Sequence, residues 1–319
     1  MLGTYRLLLA ILVALSHANV RIAGLNPGVI AVVCFYLISG YVMTGLLRSH
    51  FSTKSKIPAF YVDRVMRLFP QYLTIAGITL IWFYMSGEHT AFLQHSPKLI
   101  DILANLSVVP LNYYMFNGSD QFTLLPPAWS LGAEIQFYLL MPFLLWWRTR
   151  LLAFLIALAV FLAATWGMLN TDHFGYRLLP GVLVFFLIGS ALYDVKAKQS
   201  QAWRLPALVA LGIAVVAVIL LQGGHLVLPY NRETLFGLLV GVPLLCFLAR
   251  LPQHWLDNRL GDLSYGVFLN HFLLQWGVFG VPSGAVQLSA YILLSVALSY
   301  LTQKMVEQPV LRWRKKIRN

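Results

Sequence analysis

The feature that most constrains this chain is a succession of apolar runs of membrane-spanning length. A membrane helix needs about 20 consecutive, mostly apolar residues, and such runs fill most of the 319 residues. Of these residues 59% are hydrophobic and only 11% are charged, against about 25% charged in an average soluble protein. The runs predict an all-α, polytopic membrane protein with about ten transmembrane helices, at 5–22, 27–47, 70–86, 129–147, 151–169, 176–194, 204–222, 234–250, 262–281 and 285–307.

The 23 Lys and Arg residues are distributed unevenly over the connectors between these runs. With the N-terminus inside, only Arg21, Lys98, Arg177 and Arg232 fall outside. Because cytoplasmic loops carry an excess of Lys and Arg, both termini are predicted to be cytoplasmic. Orientation therefore explains the net charge of +12 better than binding to nucleic acid, which is not expected. The basic tail 308–319 is predicted to contact anionic lipid headgroups.

The connectors are too short to hold a separate soluble domain, so residues 1–319 are predicted to form a single membrane domain. Two connectors exceed ordinary turn length, a basic cytoplasmic loop at 48–69 and a long outer loop at 87–128. Within the outer loop, residues 98–116 are partly apolar. We expect an interfacial or re-entrant piece there, because polar and breaking residues interrupt the run: Asn105, Pro110 and Asn112.

Arg6 and His17 are the informative pair of the first run, because nothing between them can ionise. Eleven residues are about three helical turns, so the two side chains leave one helix face about 16 Å apart along the axis. An ionisable group at membrane depth is costly, which makes His17 a candidate functional residue. The alternative is a histidine that merely bonds to a neighbouring helix, and the residues alone leave both readings open.

Arg64 and Arg67 stand three residues apart and so share one helix face, on the same predicted side of the membrane as Arg6. Three guanidinium groups at one cytoplasmic mouth would suit a phosphate-bearing ligand, since each is a planar fork of donors with a permanent charge. The alternative, favoured by spacing alone, is ordinary snorkelling toward lipid headgroups.

Glu134 lies about one turn inside the predicted outer boundary of the fourth span. His17 is predicted at a similar depth, in the outer half of the membrane. A carboxylate at that place would orient an imidazole and raise its basicity. The alternative is that Glu134 pairs with another donor, and Tyr138, one turn further on, shares its face and could bond to it.

His271 is a second deep histidine, beside Asn270 in the ninth span, and from its position packing is the favoured explanation. The remaining histidines lie in or beside loops without metal-ligand spacing, so no metal site is predicted. No nucleotide-binding glycine loop is present either.

In combination, these motifs resemble the acyltransferase family 3 of integral membrane O-acyltransferases. The similarity follows the family's order along nearly the whole chain. The matching stretches are the Arg-x10-His of Arg6 and His17, the Phe-Tyr-Leu-Ile-Ser-Gly-Tyr of 35–41, Arg64 and Arg67 followed by Pro70, the Trp-Ser-Leu-x-x-Glu-x-Gln-Phe-Tyr of 129–138, the Leu-Gly-x-Leu-Ser-Tyr of 260–271 that ends in His, and the Val-Glu-Gln-Pro of 306–309.

The chain departs from the family pattern at two positions. Many members carry an acidic residue in the second span where this chain has Val33, and a second Glu in the fourth span where this chain has Ile135. Some relatives also carry an appended esterase-like domain, which is not expected here.

The resemblance implies that an acyl group, usually acetyl from acetyl-CoA, is moved from the cytoplasm to a hydroxyl of a glycan or other acceptor. Acyl-CoA would be the donor substrate, with no permanently bound cofactor, in a bacterial inner membrane. The roles it implies are CoA phosphate binding for Arg6, Arg64 and Arg67, general base or acyl carrier for His17, orientation of His17 for Glu134, and substrate or structural support for Trp129, Ser130, Tyr138, Asn270 and His271.

Two other functions fit parts of the sequence. O-acylation of a small molecule such as a macrolide would use the same residues. A transporter of an anionic or lipid-linked solute could use the deep His and Glu residues as a proton relay, but its expected inverted repeats with broken helices are not evident in the sequence.

Overall fold

The computed structural model describes residues 1–197, 212, 227–252 and 254–312. Over these residues the chain is helical, and the only extended pairing is in isolated β-bridges. The helices of nine or more residues in the described part are α1 (Leu2–His17), α2 (Pro27–Ser49), α3 (Ile57–Ser86), α4 (Leu99–Ser107), α5 (Ala128–Trp146), α6 (Arg150–Thr165), α7 (Leu179–Lys196), α8 (Asn231–Leu248), α9 (Trp255–Leu274) and α10 (Gly284–Thr302).

Nine of the predicted spans fall in the described part of the chain, and each overlaps one of these helices. The remaining predicted span, 204–222, lies outside the described residues apart from Gly212. Within the described residues, six helical segments are long and apolar enough to cross a membrane, or seven if the bent pair Leu99–Ser107 and Val109–Asn117 counts as one. The count of ten membrane spans, and the orientation of the termini, therefore stay predictions.

The first predicted span, 5–22, is too long, because α1 ends at His17. Asn19 takes a positive φ of 62°, a left-handed conformation that typically follows a helix end and that Asn tolerates. Beyond it, Ile22 and Leu25 form an isolated bridge. His17 is consequently the last residue of its helix and not a residue of the helix interior.

The two predicted loops contain much helix. Residues 57–69 of the predicted loop 48–69 form the first part of α3, which continues through Pro70. The predicted outer loop 87–128 contains α4, after which the chain turns by 102° at Val108. The interfacial or re-entrant placement of 98–116 stays a prediction. The basic tail 308–319 lies outside the described residues from residue 313 on.

The chain divides into two compact units that alternate along the sequence. Unit 1 comprises Met1–Leu2, Arg21–Ile57 and Glu134–Gln253, and therefore contains α2, most of α5, and α6 to α8. Unit 2 comprises Gly3–Val20, Pro58–Ala133 and His254–Asn319, and contains α1, α3, α4, α9 and α10. The predicted single domain 1–319 is thus composed of two units.

In unit 1, α2 and α7 approach closely because Gly40 has no side chain. A Cβ atom added at Gly40 would lie 1.8 Å from the carbonyl oxygen of Phe186. Toward the other end of the same helix pair, the carboxylate of Asp194 is fully buried and accepts hydrogen bonds from Arg150 (2.6 Å) and Arg48 (2.9 Å). A buried carboxylate needs such partners, since an unpaired buried charge is strongly destabilising.

In unit 2, α1 and α9 run parallel, because contacts progress in the same direction along both helices. The Asp257 carboxylate accepts hydrogen bonds from the backbone nitrogens of Gly3 (3.1 Å) and Thr4 (2.8 Å). Further along, Arg6 reaches Gly261 and His17 reaches His271. The start of α1 lies close against α9, since a Cβ atom added at Gly261 would lie 2.7 Å from the Cα atom of Gly3.

Polar contacts between helices hold α3 and α10 to the same unit. The Tyr265 hydroxyl on α9 donates to the carbonyl oxygen of Leu68 on α3 (3.0 Å). The amide of Gln71 on α3 donates to the hydroxyl of Thr302 on α10 (3.0 Å). These contacts fix the segment of α3 that carries Arg64 and Arg67 relative to α9.

Candidate active site

His17 forms an edge contact with a second histidine in unit 2. Its Nδ1 atom lies 3.0 Å from Nε2 of His271, in the second half of α9. The ring of Phe272 packs obliquely on His17, with ring centroids 4.8 Å apart. His271 is fully buried, whereas His17 is partly exposed. Of the two imidazoles, His17 is therefore the more accessible to a reactant.

Arg6 and Arg67 approach successive turns of α9. The Arg6 guanidinium donates to the carbonyl oxygen of Gly261 (3.1 Å). The guanidinium carbon of Arg67 lies 5.7 Å from the ring centroid of Tyr265, four residues after Gly261 and so one turn further along the helix. Arg64 lies about one turn before Arg67 on α3. Arg6 and Arg67 thus contact the first half of α9 in unit 2, and Arg64 belongs to the same unit.

Two buried carboxylates partner the arginines of α3. Arg64 donates through Nε to Asp63 (3.0 Å), and Arg67 forms an ion pair with Glu307. Asp63 and Glu307 are 0% and 1% exposed. The carboxylates offset part of the positive charge and hold the guanidinium groups in defined positions.

Glu134 accepts two short hydrogen bonds inside unit 1. The donors are the Ser39 hydroxyl on α2 (2.6 Å) and the Tyr138 hydroxyl one turn along α5 (2.5 Å). The predicted bond between Tyr138 and Glu134 is therefore present. Glu134 belongs to unit 1 and His17 to unit 2, and the predicted orientation of His17 by Glu134 stays a prediction.

The remaining predicted support residues make local structural contacts in unit 2. The backbone carbonyl of Trp129 accepts from Asn112 (3.0 Å), and the hydroxyl of Ser130 donates to the carbonyl of Pro127 (3.0 Å). Asn270 is fully buried and exchanges two hydrogen bonds with Ser295 on α10 (2.6 and 2.9 Å). These contacts fix the start of α5 and the packing of α9 on α10.

Four contacts of the site were not foreseen from the sequence: His271 with His17, Asp257 with the start of α1, Glu307 with Arg67, and Ser39 with Glu134. Ser39 and Glu307 lie in motifs that the sequence analysis identified, at 35–41 and 306–309, but the sequence did not indicate which residues they contact. No motif in the sequence indicates that Asp257 contacts α1. Over the described residues, no group of three or more His, Cys, Asp or Glu side chains is arranged to hold a metal ion.

Comparison with known families gives a match that covers almost all of the chain. The match is to the family-3 acyltransferase domain and spans residues 5–304. The chain belongs to acyltransferase family 3. Both ends of the candidate site in unit 2, from Arg6 to His271, lie inside the matched residues.

Three curated relatives show how far the similarity to other members extends. An uncharacterized protein of Aquifex aeolicus is 37% identical over 195 residues, which cover 58% of this chain and 87% of that protein. The peptidoglycan O-acetyltransferase OatA of Listeria monocytogenes is 26% identical over 84% of this chain. Nodulation protein 10 of Rhizobium leguminosarum is 26% identical over 90% of this chain and 83% of its own length.

The aligned part of this chain spans 48% of the length of the Listeria relative, so that protein has a large region outside the similarity. No solved structure matches the chain.

The departure from the family pattern at Val33 has a structural explanation in unit 1. Val33 is fully buried in α2, and a Cβ atom added at Gly237 of α8 would lie 2.9 Å from its Cβ. In this family member the position is thus part of a close contact between two helices, where an acidic side chain would be buried.

Proposed function

We propose that this acyltransferase family 3 member is a membrane O-acyltransferase. It moves an acyl group, most simply acetyl, from cytoplasmic acyl-CoA to a hydroxyl of a surface or exported polysaccharide. The proposal rests on unit 2, which contains the partly exposed imidazole of His17, the arginines Arg6 and Arg67 in contact with the first half of α9, and Arg64 one turn before Arg67. The proposal includes a bacterial inner membrane location with both termini cytoplasmic.

The donor end of the proposed site is the arginine group of Arg6, Arg64 and Arg67. Guanidinium groups bind phosphate oxygens through paired donors, and CoA carries several phosphate groups at the end remote from its thioester. His17 lies eleven residues from Arg6, about 16 Å along α1. A long donor bound by its phosphates at the arginines would extend along α1 toward the imidazole.

His17 would act on the thioester in one of two ways. As general base, it takes the proton of the acceptor hydroxyl while the oxygen attacks the thioester carbon, the carbon–sulfur bond breaks, and the CoA thiolate then receives that proton. As acyl carrier, an imidazole nitrogen attacks the carbon, CoA leaves as thiolate, and the acceptor oxygen takes the acyl group in a second step. General-base action is typically worth about 10²- to 10⁴-fold in rate.

The acceptor class rests on the relatives. The Listeria relative carries the name of a peptidoglycan O-acetyltransferase, which supports a glycan acceptor for this chain. To test this, membranes with and without the protein are incubated with radiolabelled acetyl-CoA, and ester-bound label, which alkali releases, is measured in isolated polysaccharide. We expect label only with the protein. Label in a small molecule alone would contradict the polysaccharide acceptor, and no protein-dependent label would contradict acetyl transfer.

The donor site has a separate test, in which binding of acetyl-CoA to purified protein is measured at low and high salt. Arg64→Ala and Arg67→Ala should each weaken binding, and the loss should be largest at low salt because ionic contacts are screened at high salt. Arg177→Ala is the control, since Arg177 is ion-paired with Asp172 in unit 1 and is not part of the arginine group. Unchanged binding in both α3 variants would contradict the donor site.

A further inference from the structure

The side chain of His271 makes hydrogen-bonding contacts through both ring nitrogens. Its Nδ1 atom lies 3.2 Å from the carbonyl oxygen of Val267, one turn earlier on α9. Its Nε2 atom lies 3.0 Å from Nδ1 of His17. His271 is 0% exposed, so both contacts are made within the protein interior.

The rings of His17 and His271 meet edge to edge and are not stacked face to face. Their planes differ by 11° and their centroids are 5.1 Å apart, yet the two facing nitrogens are only 3.0 Å apart. Because the centroids are farther apart than the facing nitrogens by nearly two ring radii, the rings lie side by side, edge facing edge, and not one above the other. The lone pair of one nitrogen therefore points along the N–H bond of the other, as a hydrogen bond requires.

The carbonyl oxygen of Val267 decides which nitrogen carries each proton. A carbonyl oxygen only accepts, so Nδ1 of His271 must be the protonated nitrogen. A neutral imidazole has one N–H and one acceptor, and the neutral ring is the form that costs less to bury. Nε2 of His271 is then an acceptor, and Nδ1 of His17 must donate to it. The lone pair of His17 is consequently on Nε2.

We propose that His271 is a positioning residue that fixes the tautomer of His17 and so makes Nε2 of His17 the reacting nitrogen. The inference rests on the proposed acyl transfer at His17. As general base, Nε2 takes the proton of the acceptor hydroxyl and later returns it to the CoA thiolate. As acyl carrier, Nε2 forms the bond to the acyl carbon as the carbon–sulfur bond breaks, and His271 can accept the Nδ1 proton of the resulting acyl-imidazolium.

Two substitutions of His271 distinguish the loss of its hydrogen-bond acceptor from the loss of its side-chain volume. His271→Gln can place a carbonyl oxygen near the position of Nε2 and so keeps an acceptor for His17. His271→Leu keeps much of the volume and removes the acceptor. We expect the Leu variant to lower kcat by at least about 10²-fold, with an unchanged KM for acetyl-CoA, and the Gln variant to recover most of that loss. His50→Leu is the control, since His50 is an exposed histidine after the end of α2 in unit 1.

A second measurement reads the tautomer without any turnover. The ring nitrogens of the eight histidines are isotope-labelled, and the His17 signals are assigned by their loss in His17→Ala. In the wild-type protein we expect a protonated Nδ1 and an unprotonated Nε2, and in His271→Leu a mixture of the two tautomers. If the Leu variant does not fold, His271→Asn, whose shorter amide does not reach His17, takes its place.

The outcomes distinguish this inference from the proposed function. Acetyl transfer by the wild type, with equal rates in the Leu variant, would overturn the positioning role and leave the function standing. A wild-type His17 protonated on Nε2 would overturn it as well. Failure of acetyl transfer in the wild type, with the expected change of tautomer, would overturn the function and support the positioning of His17 by His271.

Discussion

The carboxylate of Asp257 should be a main determinant of how α1 is held in unit 2. The first backbone N–H groups of a helix have no partner within the helix. Here Asp257, itself in the first turn of α9, accepts from the backbone nitrogens of Gly3 and Thr4 and from the Thr4 hydroxyl (2.8 Å). One carboxylate therefore lies at the N-termini of two parallel helices, where negative charge is favourable.

The magnitude follows from these bonds. Asp257→Ala leaves two backbone N–H groups without their acceptor, and the Gly3 group is buried. Loss of a helix cap costs about 0.5–2 kcal/mol and a buried unsatisfied donor about 1–3 kcal/mol, so we expect a total of about 1.5–5 kcal/mol. Asp257→Asn keeps one oxygen acceptor and should cost about half as much.

Ligand binding should respond as well, because Arg6 lies in the first turns of α1. We expect weaker acetyl-CoA binding in Asp257→Ala, whereas His17, about 20 Å along the helix from the capped N–H groups of Gly3 and Thr4, should be less affected.

Unfolding by sodium dodecyl sulfate in mild detergent micelles, followed by circular dichroism, measures the stability, and calorimetric titration measures the binding. Asp262→Asn, about one and a half turns further along α9, is the matched control because the Asp262 carboxylate accepts a long hydrogen bond, 3.4 Å from the amide of Gln303. Equal stability of Asp257→Ala and Asp262→Asn would refute the capping role.

The contribution of Asp257 should also depend on pH. Burial acts to raise the pKa of Asp257, but the hydrogen bonds from Thr4 and Gly3 outweigh burial and hold the pKa below its usual value. Since the pKa is lower in the folded protein, the stabilisation is present above the unfolded value of about 3.9 and is lost as pH falls through the folded pKa. A stability difference between wild type and Asp257→Asn that does not shrink at acid pH would contradict this.

Two further predictions concern unit 1, both measured by unfolding in detergent. Gly40→Ala should lower the stability of the protein by roughly 1–3 kcal/mol or more, because the added methyl meets a carbonyl oxygen. The control Gly77→Ala, in α3, should be neutral or stabilising, since open space surrounds Gly77. Equal effects of the two substitutions would contradict the close packing of α2 on α7. Asp194→Ala should cost roughly 3–5 kcal/mol by leaving Arg150, which is 5% exposed, without its carboxylate; wild-type stability would show that this ion pair contributes nothing.

The helical segments of this chain could be predicted from sequence because the membrane imposes a simple rule on it. Every backbone group in lipid must bond internally, so each apolar run becomes a helix. Local side-chain pairs follow from the same geometry, as in the bond between Tyr138 and Glu134. The exact helix ends could not be predicted, since Asn19 ends α1 through its own conformation and α3 continues through Pro70.

The partners of the site residues could not be predicted, because they are distant in sequence. His17 and His271 are 254 residues apart, and Arg67 and Glu307 belong to different helical segments. No spacing rule connects such pairs, and only the packing of α1, α3, α9 and α10 in unit 2 brings them together. Packing was the favoured explanation of His271 from its position, but the structure shows it bonded to the candidate catalytic residue.

The most direct test of the account is the rate at which purified protein releases CoA from acetyl-CoA in the presence of a membrane extract that supplies the acceptor. The account predicts that His17→Ala lowers this rate by at least about 10²-fold. Its affinity for acetyl-CoA should stay unchanged, since the arginine group lies near the opposite end of α1. A His17→Ala variant that folds and releases CoA at the wild-type rate would contradict the account.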